Sequence, residues 1–129
     1  MTQTTLEMVK EFHEAFGHPV NNRPYLTNED LTSLRESLIT EELQELCDAI
    51  SVKDETEVLD ALCDLQYVLD GAFLALGFWD VKQEAMEEVH RSNMSKLGED
   101  GKPLYREDGK ILKGPDFKEP ELEQFLLPF

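Results

Sequence analysis

Apolar residues recur at helical spacing along most of the first 96 positions of the chain. This pattern predicts a first helix over Thr5–Phe16, which Gly17 ends. A loop rich in proline and asparagine follows it. A second helix is predicted to begin after Asn28 and to run to about Ile50, because asparagine is a favourable N-cap and two acidic residues follow it.

Two further helices complete the predicted helical core. Asp54 and Glu57 have capping-box spacing and begin a third helix, which extends to Leu76. Its apolar residues go nearly all the way round, so we expect burial on most sides. The fourth helix begins at residue 79 or 80 and continues to about Lys96.

The remaining residues, 97–129, are rich in glycine, proline and charge, and they form an extended tail. Within the tail, the segment LYREDGKIL predicts a short hairpin that turns at Asp108–Gly109. The predicted fold is therefore all-α, a four-helix bundle with an extended C-terminal tail that contains a short hairpin. It occupies one domain over residues 1–129, with a helical core over about 5–96.

Acidic residues extend the apolar stripes of the two middle helices. On the second helix the stripe of leucines that ends at Leu38 continues into Glu41, Glu42 and Glu45. On the third helix Asp60 and Asp64 lie one turn apart within an apolar pattern. Like charges at this spacing destabilise a helix, and a hard divalent cation, Mg²⁺ or Mn²⁺, would relieve the repulsion.

The alternative is that these carboxylates are simply solvated on a very acidic surface. A solvated face explains Glu41 as well as a metal does, but it fits poorly with acids inside the apolar third helix. Glu57 is interpreted as a capping residue rather than as a metal ligand. We therefore predict a metal site made by Glu41, Glu42, Glu45, Asp60 and Asp64.

Two other segments carry candidate binding residues. Basic and amide side chains in and after the fourth helix suit phosphate contact, although basic residues near a helix C-terminus also complement its dipole. Aromatic side chains near the end of the first helix could stack on a base, or belong to the core. The phosphate-binding candidates are Arg91, Asn93, Lys96 and Lys113, and the base-binding candidates are Phe12, His13 and Phe16.

Charge and cysteine content narrow the classes of function. Twelve basic against 28 acidic residues give a formal net charge of −16, which argues against binding nucleic acid or an anionic membrane. The N-terminus has no basic start and no apolar segment of a signal peptide. With only two cysteines, outside any CxxC, a reducing cytoplasmic location is expected.

The chain resembles the all-α nucleoside triphosphate pyrophosphohydrolases, the superfamily of MazG, the phosphoribosyl-ATP pyrophosphohydrolases and the dimeric dUTPases. Their signature is ExxE followed by ExxD, and Glu42-Leu-Gln-Glu45 matches its first half. Asp64 matches the closing aspartate, but Ala61 stands where the family has glutamate, and Asp60 is the nearest acid. The pair Glu57 and Asp60 also fits ExxD literally. The tail from residue 90 to residue 117 is similar to a MazG-like branch found in bacteria and their phages.

This resemblance implies hydrolysis of a (deoxy)nucleoside triphosphate to the monophosphate and pyrophosphate, with Mg²⁺ as cofactor and Mn²⁺ as an alternative. It implies that Glu41 or Glu42 is the general base and that the basic residues of the fourth helix meet the triphosphate. A homodimer or homotetramer is expected. Two rivals are a di-iron helical protein, for which Glu87 and His90 supply one ExxH motif where two are needed, and an acidic interaction module without catalysis.

Overall fold

Two long helices joined by a short turn form the centre of the first half of the protein. The computed structural model describes residues 2–126, in which the first three helices are α1 (Thr5–Phe16), α2 (Glu29–Ser51) and α3 (Glu55–Ala75). α3 packs against both α2 and α1. The chain divides into two compact units, Met1–Asp80 and Val81–Phe129. The division falls inside the predicted helical core, and the single domain over residues 1–129 stays a prediction.

Side-chain caps determine where the helices begin. The Asn28 side chain accepts a hydrogen bond from the amide of Leu31, and Asp54 accepts one from the amide of Glu57, both at 3.1 Å. The predicted starts of α2 and α3 are thereby confirmed. α1 begins with a capping box between Thr4 and Glu7 that the sequence pattern did not single out.

The loop between α1 and α2 closes the C-terminal end of α3. The Asn21 amide donates to the carbonyl of Leu74, and its side-chain Nδ2 donates to the carbonyl of Ala75. These bonds satisfy carbonyls that a helix C-terminus leaves without partners. Gly77 follows with a φ of +84°, and a Cβ there would lie 1.8 Å from the carbonyl oxygen of Arg23. Glycine is required at this position by both the backbone and the close approach.

The buried face of the first unit combines small apolar residues with polar ones. The buried apolar residues are Val9, Ala49, Ala61, Leu74 and Ala75, and the buried polar residues of this unit are His13, Arg35 and Asp70. The expected burial of α3 on most sides is wrong for its N-terminal half, where Leu59 and Leu62 are 65% and 50% exposed. The 12-residue α1 is too short to cover the whole of α3, whose buried residues concentrate at its C-terminal end.

The second unit contains one long helix and a small hairpin. A 3₁₀ turn at Trp79–Val81 leads into α4 (Lys82–Met94), so the α-helix begins slightly later and ends slightly earlier than predicted. The predicted hairpin is present as β1 (Leu104–Tyr105) and β2 (Ile111–Leu112), which pair in antiparallel fashion. A 3₁₀ helix at Leu122–Phe125 was not predicted.

The predicted all-α class is confirmed. Residues 2–126 contain four α-helices and one two-stranded sheet. In this part of the chain no single helix is both long and apolar enough to cross a membrane. One broken pair, Glu55–Ala75 with Trp79–Met94, meets the criteria of length and composition.

Candidate metal and nucleotide site

Three carboxylates from two helices converge in the first unit. Glu42 and Glu45 lie one turn apart on α2, and Asp64 faces them from α3. One oxygen atom of each side chain lies within 4.8 Å of the other two. The ExxE spacing produces this arrangement, because residues three apart share one face of a helix.

The environment of these carboxylates disfavours their charged forms. Desolvation raises the pKa of Glu42 above its ordinary value, and repulsion from Glu45 and Asp64 raises it further. The pKa of Asp64 is also raised, first by desolvation and then by Asp60 and Glu45. Glu42 Oε2 is buried and has no hydrogen-bond partner among residues 2–126. A buried carboxylate oxygen without a hydrogen-bond donor destabilises the folded protein, and a bound cation would compensate for the missing donor.

The donor set fits a hard divalent metal ion. Three carboxylates offer only oxygen atoms, which suits Mg²⁺ or Mn²⁺ rather than a soft metal. The Glu42 Oε2 atom, which has no hydrogen-bond partner among residues 2–126, is a ligand atom available to such an ion. Glu42, Glu45 and Asp64 are therefore the side chains that would hold the ion.

Two predicted ligands lie outside the three-residue cluster. Asp60 lines an open cavity of about 410 Å³ together with Glu45, Asp48 and Glu57. Glu41 is exposed and lies beside Ser37 and Thr40 on the surface of α2. Asp60 and Glu41 both contribute to the electrostatics of the cluster, because each raises the pKa of a clustered carboxyl group. The assignment of Asp60 and Glu41 as metal ligands stays a prediction.

The base-binding candidates lie near one another but differ in exposure. The rings of Phe12 and Phe16 are 4.4 Å apart, and Phe12 also meets the ring of Tyr67 edge-on. Phe16 is 67% exposed, whereas His13 is 2% exposed. The ring nitrogen Nδ1 of His13 lies 2.8 Å from the carbonyl oxygen of Pro19. Phe16 thus offers a free surface, and His13 is part of the interior.

The phosphate-binding candidates belong to the second unit, where Arg91 is already paired. Its Nε and Nη2 donate to the two carboxylate oxygens of Glu88 at 2.8 and 2.7 Å. Nη2 also donates to the carbonyl of Glu119. The hydrogen bonds that Glu88 accepts from the Arg91 side chain and from the Glu121 amide lower the pKa of Glu88 to about 2. Arg91 therefore fixes the C-terminal segment onto α4, a role that the sequence did not indicate.

The other three candidates are less constrained. The amide of Gly114 donates to the carbonyl of Lys96 at 2.8 Å, which brings the backbone of Lys113 next to that of Lys96. Lys113 Nζ lies 4.7 Å above the ring of Phe117. Asn93 is exposed on the last turn of α4. Their contact with a phosphate stays a prediction.

Arg35 is a charged residue of the interior that the sequence interpretation missed. Arg35 on α2 is 4% exposed, and its Nε has no hydrogen-bond partner within the described residues. It precedes Glu42 by seven residues, which is two helical turns, so both residues lie on one face of α2. Following the glutamate stripe back by two turns would have identified it.

The geometry disfavours the di-iron alternative. Across residues 2–126, one group of three or more potential ligands brings its ligand atoms together, and it contains neither Glu87 nor His90. Glu87 instead accepts a hydrogen bond from Gln83 one turn earlier on α4. The single ExxH motif is thus not part of a ligand cluster there.

Comparison with known proteins assigns the chain to a family. The sequence model of the phosphoribosyl-ATP pyrophosphohydrolases matches residues 9–93. An uncharacterized protein of Acanthamoeba polyphaga mimivirus is 32% identical over 98 residues, which cover 73% of this chain and 39% of that protein. A solved structure from Exiguobacterium sp. 255-15, assigned to the NTP pyrophosphohydrolases, is 25% identical over 98% of this chain and 93% of that one, with a TM-score of 0.34. Because the family match includes all three clustered carboxylates, the chain belongs to the phosphoribosyl-ATP pyrophosphohydrolase family, within the all-α NTP pyrophosphohydrolases.

Proposed function

We propose that this protein hydrolyses a (deoxy)nucleoside triphosphate to the nucleoside monophosphate and pyrophosphate. The observation that carries the proposal is the cluster of Glu42, Glu45 and Asp64, in which one buried oxygen atom has no hydrogen-bond partner in the described part of the chain. The family match over residues 9–93 supports the same reaction. Control of a nucleotide pool and removal of damaged nucleotides are both consistent with it.

The metal ligands in this proposal are the three clustered carboxylates, with Glu41 and Asp60 at the margins of the site. Mg²⁺, or Mn²⁺ as an alternative, would neutralise charge on the phosphate oxygens and lower the pKa of a coordinated water molecule. Without a cation the cluster repels the triphosphate, because both carry negative charge. Activity should therefore depend on added metal.

Proton transfer is assigned to Glu42 or Glu41. A water molecule attacks the α-phosphorus and loses its proton to one of these carboxylates. The new bond joins the water oxygen to the α-phosphorus, and the bond from that phosphorus to the bridging oxygen breaks. Pyrophosphate leaves with the electron pair. Glu42 can accept the proton only through an oxygen atom that the metal leaves free, whereas Glu41 lies outside the ligand cluster.

Binding of the pyrophosphate leaving group is assigned to the basic residues of the second unit. Lys96 and Lys113, whose backbones are brought together by the Gly114 hydrogen bond, offer two cations, and Asn93 offers a neutral donor. Arg91 would have to exchange its bond with Glu88 for one with phosphate. We therefore assign the two lysines the larger part of pyrophosphate binding.

Association of the chain with itself is part of the proposal. Near the turn that joins α2 to α3 there is an apolar cavity of about 380 Å³, lined by Ile50, Lys53, Glu55, Val58, Leu59 and Leu62. Exposed apolar surface of this kind favours an interface. A homodimer or homotetramer would cover it.

Product analysis tests the reaction. The protein is incubated with each common NTP and dNTP, with Mg²⁺ or Mn²⁺ and then with EDTA, and the products are separated by anion exchange. We expect monophosphate and pyrophosphate, no diphosphate, and no turnover with EDTA. Asp64→Asn should be inactive, whereas Glu36→Gln, an equal loss of charge at an exposed position of α2, should keep wild-type activity. Turnover that persists in EDTA would contradict the proposal.

A further inference from the structure

His13 lies where α1, the loop after it and α3 meet. The residue is 2% exposed, although most positions of α1 are exposed. Its Nδ1 lies 2.8 Å from the carbonyl oxygen of Pro19, which belongs to the loop. A carbonyl oxygen only accepts hydrogen bonds, so Nδ1 carries the proton and Nε2 of the neutral ring carries the lone pair. The imidazole therefore joins the end of α1 to the loop.

The other ring nitrogen of His13 lies beside a buried cation. A Cβ on Gly71 of α3 would lie 3.2 Å from His13 Nε2 and 3.0 Å from Arg35 Nη1, so both nitrogen atoms are close to one point on α3. Arg35 is 4% exposed, and its Nε has no hydrogen-bond partner among residues 2–126. The lone pair of neutral His13 is compatible with this guanidinium. A second positive charge is not, because two cations repel strongly where water is excluded.

The surroundings of His13 disfavour its protonation. Burial is the largest cause that lowers its pKa, and repulsion from Arg35 on α2 and from His18 in the loop lowers the pKa further. The hydrogen bond to the loop carbonyl acts in the opposite direction. The rings of His13 and His18 are 5.3 Å apart. Two basic side chains from two different elements therefore oppose a charge on His13.

The acidic groups of α3 and α1 are engaged with other side chains. On α3, Asp70 is fully buried, and its Oδ2 accepts a hydrogen bond from Gln66 one turn earlier. On α1, Glu14 accepts one from Lys10. Neither acid accepts a hydrogen bond from His13 within residues 2–126.

We propose that the contact between His13 and Arg35 is an acid-sensitive switch, which keeps the end of α1 and the loop after it packed on α3 only while the imidazole is neutral. Protonation adds a positive charge and an N–H group at Nε2, beside the guanidinium. The loop opens with α1, because Asn21, two residues after Pro19, caps the C-terminal end of α3. The switch is independent of the proposed reaction, so its test needs no nucleotide.

Acid should weaken the first unit through His13. Because the pKa of His13 is lower in the folded protein than its ordinary value of 6.5, the unfolded state binds the proton more tightly. This contribution to stability is complete above pH 6.5 and is lost as pH falls below that value. The equilibrium constant for unfolding then rises by at most about tenfold per pH unit. The raised pKa of Glu42 acts in the opposite direction, so the wild type is compared with a variant of His13.

Urea unfolding of the full chain at pH 8, 7, 6 and 5, in EDTA, tests the switch. It is followed by the fluorescence of Trp79, whose indole nitrogen donates a hydrogen bond to the loop. His13→Asn keeps an amide donor for Pro19 but cannot bind a proton. From pH 7 to pH 5 the unfolding constant should rise at least about fivefold more in the wild type than in this variant. His90→Asn, on α4, is the matched control and should follow the wild type. Equal pH dependence in the wild type and His13→Asn would overturn the inference.

An NMR titration of the three imidazoles measures the same proton directly. The signal of His13 is identified by its loss in His13→Asn, or by exclusion with His18→Asn and His90→Asn. Its midpoint should lie below 6.5 in the wild type and should rise in Arg35→Met, which removes the neighbouring cation. If His13→Asn does not fold, Arg35→Met decides the matter, because its unfolding should depend less on pH than that of the wild type. A wild-type midpoint at or above 6.5 would overturn the inference.

Amide hydrogen exchange at pH 7.5 and pH 5.5 locates the segment that opens. Each rate is compared with that of an unstructured chain at the same pH, so that only protection by structure remains. We expect protection in the wild type to fall at pH 5.5 for α1 and Asn21 and to stay the same for α4. In His13→Asn the protection of α1 should be equal at the two pH values. Equal loss of protection in α1 and α4 of the wild type would overturn the local switch, because acid would then unfold the whole chain.

Discussion

Asp64 is the one member of the carboxylate cluster that α3 contributes, so it tests whether the two helices bind metal together. Asp64→Asn keeps the size of the side chain and removes one of three repelling charges. We expect Mn²⁺ affinity to fall at least about tenfold, or about 1.4 kcal/mol. The metal-free protein should not be destabilised, because the repulsion is reduced. Calorimetric titration with Mn²⁺ and thermal unfolding in EDTA measure these two effects.

The matched control is Glu36→Gln, which removes one charge from an exposed position of α2. It should leave Mn²⁺ affinity unchanged, because Glu36 is outside the cluster. Equal weakening in the control and in Asp64→Asn would mean that metal responds only to net charge, and the cluster would not be a specific site.

The raised pKa of Glu42 predicts how the stability of the folded protein depends on pH. Its pKa in the folded protein is raised above its ordinary value of 4.5. The folded state therefore binds the proton more tightly than the unfolded state, and this stabilisation is complete below pH 4.5 and is lost as pH rises through the raised pKa. In EDTA, Glu42→Gln should unfold at a higher temperature than the wild type at pH 7, and the difference should vanish near pH 4.

Metal should remove this pH dependence, because a bound cation replaces the proton on Glu42. Thermal unfolding of both proteins between pH 4 and pH 8, in EDTA and in Mg²⁺, makes the comparison. Wild-type and variant curves that stay parallel across the whole range in EDTA would show that Glu42 does not titrate differently in the folded and unfolded states.

Among the elements, α4 is joined to the C-terminal segment by Glu88 and Arg91. The amide of Glu121 donates to Glu88 Oε2 at 2.7 Å, and the amide of Lys118 donates to the Ser95 hydroxyl. Glu88→Gln weakens this attachment, because a neutral amide accepts more weakly than a carboxylate paired with arginine. We expect the Glu121 amide to exchange with solvent several-fold faster, as measured by NMR.

Glu87→Gln is the control for this element, since Glu87 is exposed on the same helix and bonds only to Gln83 among the described residues. In the wild type the attachment should also loosen as pH falls from 4.5 towards 2, because the pKa of Glu88 is lowered to about 2. Unchanged exchange in Glu88→Gln would show that the Glu88 carboxylate does not hold the segment.

Local signals predicted the elements well where a cap or a turn residue specifies them. Asn28, Asp54 and Gly17 mark helix ends because their side chains, or the lack of one, satisfy backbone requirements that the nearest residues determine. Asp108–Gly109 specifies the hairpin for the same reason. The 3₁₀ helix at Leu122–Phe125 has no such signal.

The candidate site was predictable only along each helix, and packing decided the rest. The ExxE spacing was enough to group Glu42 with Glu45, whereas the relative rotation of α2 and α3 selects Asp64 rather than Asp60 as their nearest partner. The spacing of residues along a single helix does not determine how that helix is rotated relative to its neighbour. The burial of Arg35 was missed because a charged residue is expected on a surface unless a tertiary contact requires otherwise.

For the whole molecule, exposed apolar surface favours self-association, whereas a net charge of −16 opposes it. Leu59 and Leu62 leave apolar area exposed near the turn that joins α2 to α3, and covering it with a second copy would be favourable. Bringing two such acidic chains together is opposed by repulsion that salt screens. We therefore expect a homo-oligomer whose stability increases with ionic strength and with bound Mg²⁺.

Leu59→Asp tests this association by placing a charge in the apolar cavity. Light scattering after size exclusion should show a shift from oligomer towards monomer, with the dissociation constant raised at least about a hundredfold, or about 2.7 kcal/mol. Tyr105→Asp, at an exposed aromatic of the hairpin, is the matched control and should keep the wild-type mass. A wild type that stays monomeric at high protein concentration, in Mg²⁺ and moderate salt, would show that this apolar face has no second copy as its partner.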